Sequence, residues 1–197
     1  HLGAVGYAKL SDKASDKQER MCVDSIFWIA SMSKPVTGVC VMQLVDQGKL
    51  SLDDPIDRHL PEMRELKNDA GEKVTVTVQQ LLNHTSGITP ESTKVPNRGP
   101  WEFILGHAGD ARNQRLAFDP GTDLDYGTHA LYHAALVCEN VTGQTYDQFA
   151  IEQLLKPLGI EKWWFEFIDG DATHGRHPSH AIGLPARELA RIGYIGA

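Results

Sequence analysis

Residues 32–47 are apolar on almost every side. Val36, Cys40 and Leu44 fall at i, i+4 and i+8, and Val39, Met42 and Val45 fill the adjoining stripe. A helix with so few polar positions has to lie inside a larger body. Pro35 is tolerated only in its first turn, where the missing N–H has no partner to lose. The N-terminus is therefore predicted at 31 to 33, and Gly48 suits the stop just past the end. The rest of the chain must supply the surrounding core. With 197 residues and 41% apolar content it can, since a body of this size buries roughly 70% of its unfolded surface. That composition excludes a disordered acidic tail. The net charge is −7, from 19 Lys and Arg against 26 Asp and Glu. Without a basic stripe, such a chain would repel phosphate, so no nucleic-acid partner is expected. No run of 18 apolar residues occurs, so no membrane span is expected.

Around this helix the reading is mixed. Residues 3–9 read as a strand and 11–20 as its exposed connection. Residues 21–30 form an apolar approach to the helix. Asp53-Asp54-Pro55 and Asp119-Pro120-Gly121 are turn signals. Thr77 with Gln80 is a capping-box pattern ahead of Leu81-Leu82. A Pro-, Gly- and Ser-rich loop spans 84–100. A second apolar helix is predicted over 129–140, stopping at Gly143. A third is capped by Thr145 and Gln148 and ends before Pro157. Pro185 opens a last one over 186–194. Strand-like segments near the start and helices through the middle suggest a helical insertion in an α+β protein. Cys22, Cys40 and Cys138 lack metal-binding neighbours and read as small buried residues.

Ser31-Met32-Ser33-Lys34 is the sole S-x-x-K of the chain. Residues three apart share a helix face, so the Ser31 hydroxyl and the Lys34 amine can meet. A serine hydroxyl is a poor nucleophile until a base takes its proton. Desolvation disfavours an ammonium, so a lysine in apolar surroundings can serve as that base. A helix N-terminus adds N–H groups and positive dipole where an oxyanion would form. Taken alone, the motif also fits an N-capping serine beside a surface lysine.

The segment Asp24-Ser25-Ile26-Phe27-Trp28-Ile29-Ala30-Ser31-Met32-Ser33-Lys34 resembles the nucleophile segment of the serine β-lactamase-related proteins. That group contains class C β-lactamases, D-alanyl-D-alanine carboxypeptidases and esterases of the β-lactamase fold. The likeness continues, in order and at similar spacing, through Leu52-Asp53-Asp54-Pro55-Ile56 and Leu81-Leu82-Asn83-His84-Thr85-Ser86-Gly87-Ile88. It includes Pro120-Gly121-Thr122 with Tyr126, Val141-Thr142-Gly143 and Lys156-Pro157-Leu158-Gly159-Ile160, and ends at Ala186-Arg187-Glu188-Leu189-Ala190-Arg191. It covers most of the chain from about Gly3. It implies an α+β, β-lactamase/transpeptidase-like fold: an antiparallel sheet flanked by helices plus a helical subdomain. Residues 1–50 would hold the first part of the α/β domain with the nucleophile helix, 51–165 a mainly helical subdomain, and 166–197 a truncated return to the α/β domain.

The resemblance also implies roles. Ser31 would be acylated, Lys34 would share proton transfer, and Tyr126 would occupy the position of the family's second-motif tyrosine. A phenol titrates near pH 10, so it acts as a base only where cations stabilise the phenolate. Read without the family, Tyr126 is a packing or surface residue in a turn-rich loop. No metal or organic cofactor is implied. The expected substrate is a small ester, amide or peptide, and a periplasmic or extracellular setting suits the family.

Two departures matter. The second motif commonly reads Tyr-x-Asn, but here it is Tyr126-Gly127-Thr128. Thr128 offers a shorter hydroxyl to substrate than an amide would, which favours esters or small amides over β-lactams; it could equally cap the next helix. The third motif, Lys-Thr-Gly or His-x-Gly on a later strand, is missing. His107-Ala108-Gly109 fits the letters but precedes Tyr126 and has no strand pattern. The sheet is thus expected to be incomplete in this chain, with an unpaired edge and an uncovered apolar face, and a C-terminal portion would complement it. The alternative is a non-catalytic relative or inactive fragment with a binding or assembly role. His174, His177 and His180 suggest a metal, but Gly175 and Pro178 break their spacing and no further ligand completes a shell. Trp163, Trp164, Phe165 and Phe167 read as core or as an acyl pocket. His84 reads as a turn element.

Overall fold

The computed structural model describes residues 3–9, 18–68, 70–88, 116–165 and 182–196. Strands β1 (Tyr7–Lys9) and β2 (Glu19–Arg20) form an antiparallel pair. Strand β3 (Ile26–Trp28) leads through a 3-10 turn at Ala30–Met32 into helix α1 (Ser33–Asp46). Helix α2 (Val78–Leu82) follows, then α3 (His129–Thr142) and α4 (Tyr146–Ala150), which continues as a π-helical turn over Ile151–Leu155. Strand β4 (Trp164–Phe165), strand β5 (Ile182–Pro185) and helix α5 (Ala186–Gly193) complete the described chain. The mixture is α+β, as expected from the sequence.

Helix α1 has the predicted start and stop. Pro35 lies in its first turn. At the other end Gly48 takes φ +67, its N–H reaches the Val45 carbonyl, and the Lys49 N–H reaches Leu44. These two bonds are a Schellman stop, and glycine takes the left-handed position without a Cβ penalty. Val36, Cys40, Val41 and Leu44 are buried, and Pro35 and Met42 face outward, so the burial is less complete than the composition suggested. Helix α3 is the more enclosed one: every residue from His129 to Cys138 is buried. The two helices pack together within one apolar cluster that also takes in Leu81, Phe149, Leu154, Ile182 and Leu184. Tyr146 ties them to α4, its hydroxyl 2.9 Å from Thr37 Oγ1 and its N–H donating to Glu139 Oε1 at 2.7 Å.

The capping box at Thr77 and Gln80 forms as read. The one expected at Thr145 and Gln148 does not. Thr145 holds the N-cap position, but its hydroxyl donates to Asp147 Oδ1 at 2.7 Å. The 11–20 connection also needs correction at its end, where Glu19–Arg20 is a strand rather than open loop. Cys40 and Cys138 are buried as expected, but Cys22 is exposed and bonded to Ser25. The Ser25 hydroxyl holds the Cys22 thiol below its ordinary range.

Strand β5 is the centre of a three-stranded antiparallel sheet ordered β3-β5-β4. Gly183 faces Trp28 on one side and Trp164 on the other. The Trp164 indole lies so close that a Cβ on Gly183 would run into it, so only glycine fits. Among the described residues strand β3 forms one edge of this sheet, with Ile26, Phe27 and Trp28 all exposed. Among the described residues no helix is long and apolar enough to cross a membrane, and no cluster of three metal-ligating side chains occurs. The motif His107-Ala108-Gly109, the residues His174, His177 and His180, and Phe167 lie outside the described residues.

The interior carries an acid-sensitive group. His129 is buried, and desolvation, followed by the neighbouring His133, pushes its imidazole down to about 3. A carbonyl can only accept, so His133 Nδ1 donates to the His129 carbonyl at 2.7 Å. Because the folded value lies below the unfolded one, His129 contributes stability above about pH 6.5. That contribution falls as pH drops through the folded value, by on the order of 4 kcal/mol in all. Urea unfolding between pH 7 and 3.5 is therefore expected to show a steeper loss for the native chain than for His129→Gln. Equal slopes would refute the assignment.

Candidate active site

The turn that carries Ser31 is clamped to the sheet from both sides. The Ile29 N–H donates to the Ile182 carbonyl at 3.0 Å, and the Ile182 N–H donates to Ser33 Oγ at 3.3 Å. Ser33 is fully buried, so its hydroxyl serves the frame rather than the solvent. Between these anchors Ala30 takes φ +48. This left-handed backbone is costly for a residue with a Cβ and persists where surrounding structure imposes it. It projects Ser31 outward, where it is exposed.

Lys34, one turn on, is 8% exposed and donates from Nζ to Ser31 Oγ at 3.0 Å. The i, i+3 spacing read from the sequence thus becomes a direct contact. The same ammonium lies 4.8 Å from the centre of the Tyr126 ring, a cation–π distance. The oxyanion expectation changes in one respect. The Met32 N–H is already bonded to Ile29 and the Ser33 N–H to Ala30. Those two donors serve the 3-10 turn, and the α1 dipole still favours negative charge at this end.

Tyr126 reaches the site on a segment without regular structure. Three backbone bonds hold that segment against the stretch after α2. Ala117 N–H donates to Gly87 at 2.7 Å, Gly121 N–H to Thr85 at 2.8 Å, and Asp125 N–H to His84 at 3.0 Å. Gly87, at φ +71, is required there, because a Cβ would strike the Phe118 carbonyl. Asn83 shapes the turn by accepting from the Thr85 N–H at 3.1 Å, an Asx turn.

The result is a cavity of about 380 Å³. Its polar lining is Ser31, Lys34, Tyr126 and His84, and Pro35, Gly38, Leu82 and Leu131 supply the rest. Thr128 is not in the lining. It sits at the N-cap position of α3, 5% exposed, with no side-chain capping bond. Trp163 is partly buried against the core and Phe165 is buried in it. His84 takes φ +62, in keeping with the turn expected there. Its side chain, however, lines the cavity, with ring centroids of His84 and Tyr126 4.7 Å apart and the planes tilted by 48°. The turn itself is local, the left-handed stop of α2 closed by the Thr85 N–H on the Gln80 carbonyl at 3.1 Å, but no local pattern announces that the imidazole meets Tyr126, which only the fold brings against it. Burial, then the Lys34 charge, holds the His84 imidazole below its ordinary range, with Asp125 opposing.

Comparison with known proteins bears on this arrangement. Residues 2–189 match the family described as Beta-lactamase. Protein flp of Staphylococcus aureus (strain MW2) is 29% identical over 162 residues, covering 81% of this chain and 32% of that protein. Esterase EstB of Burkholderia gladioli is 36% identical over 188 residues, covering 83% of this chain and 44% of that protein. Among solved structures, EstCE1, a hydrolase with promiscuous acyltransferase activity, superposes with a TM-score of 0.74 at 19% identity, over 89% of this chain and 59% of that one. The fold is thus the β-lactamase/transpeptidase-like one, and the chain spans less than half the length of these two curated relatives.

Proposed function

The chain belongs to the Beta-lactamase family, and on that premise we propose that it is a serine hydrolase working through an acyl-enzyme on Ser31. The observation that carries this reading is the 3.0 Å contact between Lys34 Nζ and Ser31 Oγ, in a cavity shared with Tyr126. Ser31 Oγ forms a bond to the substrate carbonyl carbon as its proton passes to the Lys34–Tyr126 pair. The same pair returns a proton to the departing alcohol or amine as the carbonyl–heteroatom bond breaks. Water then attacks the acyl group, and Ser31 recovers its proton. Thr128 stands where the second motif usually carries an amide, and it is buried outside the cavity lining; the ester and small-amide preference over β-lactams therefore rests on the missing amide rather than on a contact from the Thr128 hydroxyl. The 36% identity to an esterase supports the ester preference. The additional length of the relatives suggests that a further segment complements this chain at the β3 edge.

Intact-mass spectrometry after incubation with a fluorophosphonate, and separately with a penicillin, tests the reading. A single fluorophosphonate adduct on the Ser31 peptide is expected, with little or no penicillin adduct. Efficient penicillin acylation would refute the ester preference. No labelling of this chain or of a longer form carrying the complementing segment would leave the binding or assembly role.

A further inference from the structure

We propose that His84 is a positioning residue, holding the Tyr126 ring over Lys34 so that the phenol faces the nucleophile. The inference rests on the hydrolase reading and deepens it. Tyr126 is 57% exposed and lies on a segment without helix or strand, so its backbone alone does not settle where the ring sits. The Lys34 ammonium and the His84 imidazole both lie against that ring. An ammonium attracts the ring face without fixing its rotation, whereas a flat partner at 4.7 Å restricts it.

His84 holds the left-handed position that stops α2, with the Thr85 N–H donating to the Gln80 carbonyl at 3.1 Å, a place that glycine usually takes. His84 has φ +62, where glycine is unstrained and asparagine tolerable. Its Nδ1 is buried and has no hydrogen-bond partner among the described residues. A glycine there would turn the chain and carry neither penalty. Ala30 and His84 are the two non-glycine residues with positive φ among those described; His84 lines this cavity and Ala30 directly precedes Ser31, which lines it too. Such strain gathers where geometry serves function. The groups facing the imidazole are Lys34, Tyr126 and Asp125. Burial and Lys34 both oppose a charge on the ring, which leaves a neutral surface against the phenol. The backbone bond from Asp125 N–H to the His84 carbonyl survives any side-chain change at 84, so the ring can be tested separately from the loop.

Three chains make the test: the native chain, His84→Gly and His84→Phe. Each is followed by the rate of Ser31 labelling with a fluorophosphonate, by thermal stability and by the Tyr126 ring-proton NMR signals, assigned against Tyr126→Phe. Glycine suits the backbone and removes only the ring. Labelling in His84→Gly is expected to slow about 10- to 100-fold without loss of stability. His84→Phe restores a flat ring and recovers most of the rate. The Tyr126 signals, shifted by the imidazole in the native chain, move to solvent-like values in His84→Gly. Native-rate labelling in His84→Gly, or Tyr126 signals indifferent to the imidazole, would overturn the inference. Failure of the native chain to label Ser31 would count against the hydrolase reading instead, and the ring-shift comparison would still decide whether His84 holds Tyr126.

Discussion

Ser31→Ala is expected to abolish covalent labelling and to lower ester turnover by about 10⁴- to 10⁶-fold, the scale of losing a covalent nucleophile. Among the described residues Ser31 is the one serine that lines the cavity. Ser33, the other serine of the motif, is fully buried and accepts the Ile182 N–H. Alanine at 31 should leave the fold untouched. Ser31 is exposed on the 3-10 turn, and the clamp runs through the Ile29 backbone and Ser33, not through Oγ. Native thermal stability with no adduct is therefore the expected pair of results, read by calorimetry and intact mass on one preparation. An adduct that persists in Ser31→Ala would place the nucleophile elsewhere and sink the assignment. Ser33→Ala makes the useful contrast. It leaves the Ile182 N–H without its partner beneath the turn, so its effect enters through stability first.

What could be read from the sequence followed from how local each cause is. Helix α1 was legible because its apolar stripes, Pro35 in its first turn and Gly48 just past its end are all local and agree. Ser31 and Lys34 were legible as a pair because helical geometry alone brings i and i+3 together. Tyr126 was found only through the family likeness, since three long-range backbone bonds bring it to the cavity. Strand β5 escaped notice for a physical reason. Its four residues include Gly183 and Pro185, both of which argue against a central strand. Gly183 is there because the Trp164 indole occupies the space of a side chain, and Pro185 sits at the strand's end as the cap of α5. The role of His84 was hidden in the same way. Its letter sits in a turn-like segment, and only the fold shows the imidazole reaching Tyr126.

Lys34 supports the second large effect: Lys34→Met should slow acylation of Ser31 by about 10³- to 10⁴-fold, the upper range for a positioned proton-transfer group. Methionine keeps the length and apolar stem of the side chain, so packing at α1 changes little. It removes the amine that lies 3.0 Å from Ser31 Oγ and the charge that faces the Tyr126 ring. Lys34→Arg separates these two losses. Arginine keeps a cation beside the ring but stays protonated and cannot carry the serine proton. If Lys34 acts in proton transfer, Lys34→Arg is as slow as Lys34→Met. If Lys34 serves only as a charge, Lys34→Arg retains most of the native rate. The tilt of the two rings offers an internal check, because His84 contacts Tyr126 independently of the amine. Tyr126 ring signals that keep their shift in Lys34→Met, while labelling collapses, would assign the loss to chemistry at Ser31 rather than to a displaced phenol. A native labelling rate in Lys34→Met would remove Lys34 from the mechanism and leave Tyr126 as the base to be tested.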